Sequence, residues 1–391
     1  MRSSTIRRLV KKTKQVNPRN FERDKFIYVD ISSIDKETKA IVDPQTLSPN
    51  NAPSRARNEL KTNDVLVATV RPNLNGVAIV PAKYNNEIAS TGFCVLRADQ
   101  DSIDPVYLFY FTQTEYFVSH LTRIAIGAGY PAVTDENILD TEIPLPHLAE
   151  QQRIAAILEK ADRVRRLRRY ALEVGEGFLQ GVFVEMFGDP GMNPKGWGTT
   201  TLAEENTEFV YGTSEKCFSE PVGLPVLRIP NVLQGEIDLA EIKYAELPKK
   251  EVNNLLLEHG DILFVRTNGN PDYVGRCAIF NLNRDCLFAS YLIRARVKPK
   301  KIDPFFLLTY LRMPMGRQAM EPYIRTTAGQ SNLGIEGLGQ ITLPLPPLFL
   351  QEQFARVGRR YECARTRQRE ALRQAEHLFQ GLLERAFRGE L

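Results

Sequence analysis

The sequence predicts an α+β fold in which one plan is used twice: a mixed α/β region followed by a long helix. The two long helices are expected to pair as an antiparallel coiled coil, about a pseudo-two-fold internal repeat. One observation is that Pro144-Leu145-Pro146 recurs as Pro344-Leu345-Pro346, and Phe178-Leu179-Gln180-Gly181 as Leu378-Phe379-Gln380-Gly381. Another is that both recurrences have the same offset of 200 positions (344 against 144, 378 against 178). The intervening stretches therefore have equal length without insertion, as expected of a duplicated structural unit.

Length and composition favour several domains. A chain of 391 residues with 43% hydrophobic residues can bury more than one core, and usual domain sizes suggest roughly two to four domains. No run approaches the ~18 consecutive apolar residues of a membrane span, and the N-terminus lacks the apolar core of a signal peptide. We therefore expect a cytoplasmic protein that makes no membrane contact.

The N-terminal arm is the most obviously basic stretch. The whole chain has a net charge of +4, whereas residues 1–25 hold nine Lys or Arg against two acidic residues. Clustered positive charge attracts a nucleic-acid backbone. Terminal segments also fray into solvent. Both interpretations of the arm, a nucleic-acid contact and a frayed tail, are open at this point.

No pattern of catalytic or metal-binding residues stands out. The five cysteines and four histidines are scattered, with no C-x-x-C pair and no H-E-x-x-H motif, so we expect reduced, structural thiols, no metal and no cofactor. No phosphate loop of the form G-x-x-x-x-G-K-[ST] occurs. Asn270-Pro271-Asp272-Tyr273 is similar to the Asn-Pro-Pro-aromatic motif of amino-methyltransferases, but it lacks the second proline. No glycine-rich loop for a methyl donor is evident, so we interpret the motif as a turn and the chain as a binding protein.

The mixed regions are expected to contain short strands and one pronounced helix each. Predicted strands are the runs Val65 to Val70, Gly76 to Val80 and Asp261 to Val265, which are separated by Asn, Gly and Pro turns. Predicted helices cover 105–120 and 304–318. Each begins with an Asp-Pro pair, in which Asp caps the helix and Pro occupies its first turn.

The two repeated segments predict long amphipathic helices. Apolar residues recur in a 3-4 alternation, which is typical of a coiled coil. In the first helix they are Ile154, Ile157, Ala161, Val164, Ala171, Phe178 and Val182, and in the second Phe354, Val357, Tyr361, Ala364, Ala371, Ala375, Leu378 and Leu382. Antiparallel pairing is the simplest arrangement, because it puts the two mixed regions at opposite ends. The arginines of both helices alternate with acidic residues, which favours a solvated or subunit-facing surface.

The order of a variable region and then a Pro-Leu-Pro helix, twice over, resembles the specificity subunit of type I restriction-modification systems. The resemblance covers essentially the whole chain. It rests on Ile143-Pro144-Leu145-Pro146 through Gln151-Gln152-Arg153-Ile154, on Leu343-Pro344-Leu345-Pro346 through Gln351-Glu352-Gln353-Phe354, on the closing segments 178–187 and 378–387, and on 260–269. One departure is that Trp197, which matches the usual domain opening of the family, has no counterpart near the start of the chain.

This resemblance implies a non-catalytic DNA-recognition protein. Two target-recognition domains, 1–143 and 189–341, would each read one half of a split double-stranded DNA site. Spacer helices, 144–188 and 342–391, would set the gap and dock two methyltransferase (M) subunits, and endonuclease/translocase (R) subunits would join for cleavage. Two alternatives are an adenine-specific DNA methyltransferase with a degenerate Asn-Pro-Asp-Tyr motif and a coiled-coil adaptor whose variable domains bind proteins.

Base contacts are expected on polar side chains that follow matching strands and turns in the two regions. Arg pairs with guanine and Asn or Gln with adenine, while Thr and Ser adapt to several bases. The candidates are Thr69, Arg71, Asn73, Asn75 and Tyr130 in the first region, and Arg266, Thr267, Asn268, Asn270, Arg325, Gln330, Ser331 and Asn332 in the second. Candidate phosphate contacts are Lys83, Arg123, Lys216 and Arg276. Asn73, Asn75 and Asn270, which lie beside Gly or Pro, equally suit a turn.

Overall fold

The chain folds into two compact units that both mix helices and strands, which confirms the predicted mixture of α and β structure. The computed structural model describes residues 2–233 and 235–391. Unit 1 comprises Met1–Ala171 and Gln368–Leu391, and unit 2 comprises Leu172–Arg367. Among the described residues, no helix is long and apolar enough to cross a membrane.

Unit 1 is built on two four-stranded sheets. Its strands are β1 (Ser3–Thr5), β2 (Val10–Lys11), β3 (Phe26–Val29), β4 (Ile34–Asp35), β5 (Ala40–Ile41), β6 (Gln45–Leu47), β7 (Ala56–Glu59), β8 (Val65–Ala68), β9 (Val77–Ile79), β10 (Ile88–Ser90), β11 (Phe93–Ala98) and β12 (Glu142–Pro144). Its helices are α1 (Pro105–Phe111), α2 (Glu115–Ile124), α3 (Asp135–Leu139), the part of α4 (Leu148–Gly175) up to Ala171, and the part of α10 (Leu348–Arg388) from Gln368 onward. The sheets have the orders β6-β3-β10-β7 and β2-β11-β8-β9, while β1 pairs with β12 and β4 with β5.

Unit 2 has a four-stranded sheet and two three-stranded sheets. Its strands are β13 (Thr199–Thr201), β14 (Glu208–Tyr211), β15 (Leu224–Leu227), β16 (Lys243–Ala245), β17 (Ile262–Val265), β18 (Thr267–Asn268), β19 (Cys277–Ile279), β20 (Leu287–Phe288), β21 (Leu292–Arg296), β22 (Arg325–Thr327), β23 (Gln330–Asn332) and β24 (Thr342–Pro344). Its helices are α5 (Phe178–Phe187), α6 (Lys249–Leu255), α7 (Pro304–Arg312), α8 (Pro314–Met320), α9 (Ile335–Gly339) and the first part of α10 (Leu348–Arg388). The sheet orders are β14-β21-β17-β19, β16-β15-β20 and β18-β23-β22, and β13 pairs with β24.

The Asp-Pro pairs cap helices as predicted. The side chain of Asp104 accepts hydrogen bonds from the backbone N–H groups of the first turn of α1, and Asp303 does the same for α7. The predicted helices 105–120 and 304–318 are nevertheless each divided in two. Thr114 caps a new helix, α2, through a hydrogen bond from Phe117 N (3.2 Å). Pro314 begins α8, since proline cannot donate the hydrogen bond that would continue α7.

The N-terminal arm is folded, so the frayed-tail interpretation is wrong for its first residues. Strand β1 pairs antiparallel with β12, with Ser3 opposite Pro144. Ile6 is fully buried. Arg7 donates from Nη2 to Glu136 (2.9 Å) and from Nε to Asp140 (2.8 Å). Both carboxylates hold the pKa of Arg7 above its ordinary value, with the Asp140 hydrogen bond as the largest cause.

The first long helical stretch is interrupted, whereas the second is continuous. Helix α4 ends at Gly175 and α5 begins at Phe178, while α10 runs unbroken from Leu348 to Arg388. The first of the two predicted helical segments is therefore divided between Gly175 and Phe178. The end at Gly175 has two causes. Glycine is a poor helix former. The Tyr361 hydroxyl also donates to the Gly175 carbonyl, which has no partner within the helix because it belongs to the last turn.

Inside each unit, the two helical segments run in opposite directions. In unit 1, Arg153 Nη2 donates to the backbone oxygen of Leu391 (2.8 Å), and Arg169 Nη2 donates to Glu376 Oε1 (2.7 Å). In unit 2, the ring centroid of Phe178 lies 4.9 Å from that of Tyr361, and Phe187 lies 5.6 Å from Phe354. In both units, the contact partners on the second segment have lower residue numbers as the residue numbers on the first segment increase, so the two segments are antiparallel.

The buried face of these helices departs from the predicted 3-4 alternation. Val164, Phe178, Val357 and Leu378 were expected on the seam but are exposed. The buried positions are Ile154, Ala155, Leu158, Leu179, Phe183 and Phe187 in α4 and α5, and Phe354, Ala355, Ala375, Phe379, Leu383 and Ala386 in α10. All of them except Ala375 share cores with the domain helices α1 and α7. The long helices therefore bury residues against the recognition region of their own unit as well as against each other. The 3-4 alternation describes only the contact between the two helices.

Candidate nucleic-acid interface

The sheet β18-β23-β22 brings most of the predicted residues of unit 2 to one place. Thr267 pairs with Asn332, and Asn332 pairs in turn with Arg325. The predicted residues assembled on these three strands are Thr267, Asn268, Arg325, Gln330, Ser331 and Asn332. They come from two stretches far apart in the sequence, so the proximity is a property of the fold. The result is an edge with one guanidinium and several amide groups.

Arg266 lies directly before this sheet, with its backbone fixed by hydrogen bonds and its guanidinium over a tyrosine ring. Its N–H donates to the carbonyl of Tyr291 (3.0 Å), and its carbonyl accepts from Leu333 N (2.8 Å). The guanidinium carbon lies 4.7 Å from the ring centroid of Tyr211. Nε is buried and has no hydrogen-bond partner among the described residues. A planar cation held on an aromatic ring presents its edge to an incoming acceptor.

A second arginine, Arg276, is joined through its backbone to the residue before Arg266. The carbonyl of Arg276 accepts a hydrogen bond from Val265 N (2.8 Å), the residue before Arg266. The Arg276 guanidinium carbon is 3.5 Å from the ring centroid of Tyr273, and its Nε is likewise without a partner among the described residues. A positive charge beside the sheet favours phosphate, so Arg276 stays a predicted phosphate contact.

The Asn-Pro-Asp-Tyr motif is a capped turn, as interpreted from the sequence. Asn270 Oδ1 accepts from Asp272 N (2.9 Å) and caps a 3-10 helix over Pro271–Tyr273. Asn268 Oδ1 accepts in turn from Asn270 N (2.9 Å). Both side-chain oxygens are thus used locally, while Asn270 is exposed and Asn268 is half-buried.

Ser331 has a different position from its neighbours. It is fully buried, and its hydroxyl lies 2.8 Å from that of Thr326 across the β22–β23 pair. Thr267 Oγ1 donates to Gln330 Oε1 (3.4 Å) on the other side of β23. The hydroxyl of Ser331 therefore stabilises the hairpin from inside, while Gln330 and Arg325 are exposed on its surface.

In unit 1, Arg71 and Tyr130 form a similar exposed pair. The Arg71 guanidinium carbon lies 4.5 Å from the ring centroid of Tyr130, which is 72% exposed. Arg71 N donates to the carbonyl of Pro131 (2.7 Å), and Val133 N donates to that of Thr69 (2.9 Å). These two bonds hold the loops around residues 69–75 and 126–133 together. Arg71 has φ +52, so its backbone conformation is strained and depends on these contacts.

Asn73 and Asn75 differ in how free they are. Asn73 is exposed. Asn75 has φ +46, ends the 3-10 helix Pro72–Leu74, and donates from Nδ2 to the carbonyl of Thr112 (2.8 Å). Its own carbonyl accepts from Lys39 Nζ (2.6 Å). The turn role therefore accounts for Asn75, whereas Asn73 presents a free amide.

Lys39 is a partly buried cation beside this loop. Burial, reinforced by the nearby Arg165, lowers the pKa of Lys39 to about 8. Asp35 opposes the shift in the pKa but does not cancel it. The charged form of Lys39 is therefore destabilised by burial where its ammonium group contacts the Asn75 carbonyl.

Two aromatic residues beside Arg266 were not predicted from the sequence. Tyr211, at the end of β14, lies under its guanidinium, and the carbonyl of the exposed Tyr291 accepts from Arg266 N (3.0 Å). Elsewhere in unit 2, the predicted phosphate contact Lys216 has its Nζ 5.4 Å from the ring centroid of Phe218. Tyr211 OH also accepts from Ile335 N (3.3 Å). The only available hint was a tyrosine followed by glycine at the end of a strand, and this pattern is common in structural turns.

The described residues contain no metal-binding cluster, and Cys277 and Cys286 are deeply buried. Within residues 2–233 and 235–391, no group of three or more His, Cys, Asp or Glu side chains is arranged to hold a metal ion. Burial raises the pKa of Cys277 to about 12 and that of Cys286 to about 11. Both thiols stay protonated at neutral pH and are poor nucleophiles.

Comparison with known proteins relates the chain to one family. A family model described as the type I restriction modification DNA specificity domain matches residues 21–171. The EcoKI specificity subunit of Escherichia coli K12, a type I restriction enzyme component, is 28% identical over 323 residues, which is 78% of this chain and 69% of that protein. The StySPI specificity subunit of Salmonella potsdam is 26% identical over 321 residues, with the same coverage of 78% and 69%.

Solved structures give the same relationship. A chain from a study of complex assembly and conformational transition of the type I R-M system has a TM-score of 0.58 and 29% identity, covering 100% of this chain and 98% of that one. The type I restriction-modification S subunit from M. genitalium has a TM-score of 0.62 at 15% identity, covering 99% and 96%, and this likeness concerns the fold alone. Nothing in these comparisons favours an adenine methyltransferase.

Proposed function

We infer the detailed function from one premise: the chain belongs to the family of type I restriction-modification specificity subunits and is a non-catalytic DNA-recognition subunit. Membership implies association with DNA and with M and R subunits. The proposal adds how this chain reads DNA. Each recognition region binds one half of a split site, and the paired helices set the gap and dock two M subunits.

The proposed domain division is 1–143 and 189–341 for the recognition domains, and 144–188 and 342–391 for the spacer helices. Its support is that each mixed region has the same construction. Strand β1 opposes β12 with Ser3 across from Pro144, and β13 opposes β24 with Thr199 across from Pro344. The opposite direction of the helical segments inside each unit supports an antiparallel coiled coil with a pseudo-two-fold repeat.

The observation that carries base recognition is the guanidinium of Arg266 on the Tyr211 ring, next to a sheet edge rich in amides. Its Nε has no hydrogen-bond partner among the described residues. We propose that the second half-site is read by Arg266, Thr267, Asn268, Asn270, Arg325, Gln330 and Asn332, with Ser331 supporting the hairpin. The first half-site is read by Thr69, Arg71, Asn73 and Tyr130, with Asn75 supporting the loop. Arginine, asparagine and glutamine at such edges can form bidentate pairs with purines in the major groove.

The central experiment is selection of DNA from a randomised pool by the chain assembled with its M subunits. The expected product is two short sequences separated by a fixed gap. An Arg266→Ala variant should relax one position of one half-site, at roughly 1 to 3 kcal/mol, and leave the other half-site unchanged. Arg284→Ala is the matched control, because Arg284 is an exposed arginine that also lies over a tyrosine, Tyr244 at 5.9 Å. Loss of affinity for all sequences alike would make Arg266 a phosphate contact and contradict base reading.

The spacing role has its own test. Four residues inserted after Ala171, about one helical turn, should lengthen the selected gap while both half-site sequences stay the same. Altered half-sites would contradict separate readers. The methyltransferase alternative predicts that the isolated chain binds S-adenosylmethionine, and calorimetry should detect no such binding.

A further inference from the structure

A buried glutamine lies in the first turn of each long helix and makes the same two hydrogen bonds in both units. In unit 1, Gln151 Oε1 accepts from Asp104 N (2.9 Å), and Nε2 donates to the carbonyl of Pro146 (2.9 Å). Gln151 is 1% exposed. Its amide therefore joins the start of α1 to the turn that leads into α4.

Unit 2 repeats this arrangement. Gln351, which is 0% exposed, accepts at Oε1 from Asp303 N (3.0 Å) and donates from Nε2 to the carbonyl of Pro346 (2.8 Å). Asp303 caps α7, so the amide joins the start of that helix to the turn before α10. The same contact on two independent stretches of chain indicates that the junction itself is constrained.

Only a primary amide meets both demands of this position. The backbone N–H of the capping aspartate needs an acceptor, and the proline carbonyl needs a donor. Glutamate would place a carboxylate against that carbonyl, and methionine would leave both backbone groups unpaired in a buried setting. The aspartate side chains cannot compensate, because Asp104 and Asp303 already accept from the first turns of their helices.

Further contacts limit movement at the same junctions. In unit 1, the Tyr107 hydroxyl donates to the carbonyl of Pro144 (2.9 Å). In unit 2, α10 approaches α7 so closely at Gly358 that an added Cβ would lie 2.0 Å from Phe305 Cε1. Each long helix therefore leaves its own recognition region along a direction set by buried contacts.

We propose that Gln151 and Gln351 are positioning residues that fix this direction and thereby set the gap that the protein accepts between half-sites. This inference rests on the proposed bipartite reading. It separates two properties that a recognition residue would change together: the sequence of each half-site, and the tolerance for their separation.

The test uses the chain assembled with M subunits and duplexes whose gap is one base pair shorter or longer than the preferred one. Gln151→Met should leave both half-site sequences unchanged, while discrimination between the preferred and altered gaps falls about tenfold, equivalent to about 1.4 kcal/mol. Gln152→Met is the matched control, since Gln152 is the exposed neighbour on the same helix, and it should keep the full discrimination. Gln151→Glu, which places a carboxylate against the Pro146 carbonyl in a buried setting, should lose at least as much discrimination as Gln151→Met.

A second pair guards against a variant that fails to fold. Gln351→Met and its exposed control Gln353→Met should repeat the result from the other unit, with folding checked by circular dichroism. Unchanged gap discrimination in folded Gln151→Met and Gln351→Met, or an equal loss of affinity at every gap, would overturn the inference. A wild-type protein that selects no split site would instead refute the proposed function, which makes the two failures distinguishable.

Discussion

Replacing Tyr211 with leucine should weaken base discrimination in one half-site by about fivefold, because it removes the ring on which Arg266 lies. The guanidinium carbon is 4.7 Å from the ring centroid. Such a contact contributes about 0.5–1 kcal/mol when exposed and about 2 kcal/mol when desolvated. Tyr211 is 41% exposed, so a value near 1 kcal/mol is appropriate, which corresponds to about fivefold in an equilibrium constant.

The assay is competition binding of the assembled complex to duplexes that carry the preferred base or a substituted base at the affected position. Tyr211→Phe is the matched control. It keeps the ring and loses only the hydroxyl that accepts from Ile335 N (3.3 Å), so its discrimination should stay within about twofold of wild type. The reasoning is refuted if the phenylalanine and leucine variants behave alike, or if the leucine variant loses affinity equally for every duplex.

Two further predictions concern stability. Gly358→Ala should lower the free energy of unfolding by about 1–3 kcal/mol, because the new Cβ would lie 2.0 Å from Phe305. Gly381→Ala in the same helix should raise the free energy of unfolding by about 0.5–1 kcal/mol, because its Cβ would have no neighbour within 4 Å. Denaturant titration measures both values, and the opposite ranking of the two variants would contradict this packing. Because the pKa of Lys39 is lowered to about 8 from 10.5, the unfolded chain binds more protons than the folded chain between those values, and stability should rise with pH across that window relative to Lys39→Met. A difference between wild type and variant that is the same at pH 7.5 and pH 10 would show that Lys39 is not destabilised by burial.

Features governed by local chemistry were predictable from the sequence. Asp104 and Asp303 cap helices because a short carboxylate followed by proline satisfies the first backbone N–H groups wherever the pair occurs. The turn at Asn270 follows from an Asn side chain bonding to the backbone two residues later. The long helices follow from their apolar periodicity, although the break after Gly175 depends on a contact with Tyr361.

The candidate surface was predictable only in part. Residues on one strand or turn, such as Arg325 and Gln330, could be grouped because neighbours in sequence remain neighbours in space. The pairing of β18 with β23 and the placing of Tyr211 beneath Arg266 join distant stretches of chain. No local pattern encodes such a contact, so the aromatic support of Arg266 and the burial of Ser331 had no sequence signal.

The sequence by itself determined the duplicated plan, the helix starts and the polar character of the candidate edge, since each depends on short-range hydrogen bonding or on periodicity along one element. Tertiary structure decided which face of each long helix is buried and which polar groups are free. Val164 and Leu378 fit a two-helix seam yet are exposed, because the cores of the units compete for the same helices. Burial depends on everything packed around a residue, and that sum is available only once the chain has folded.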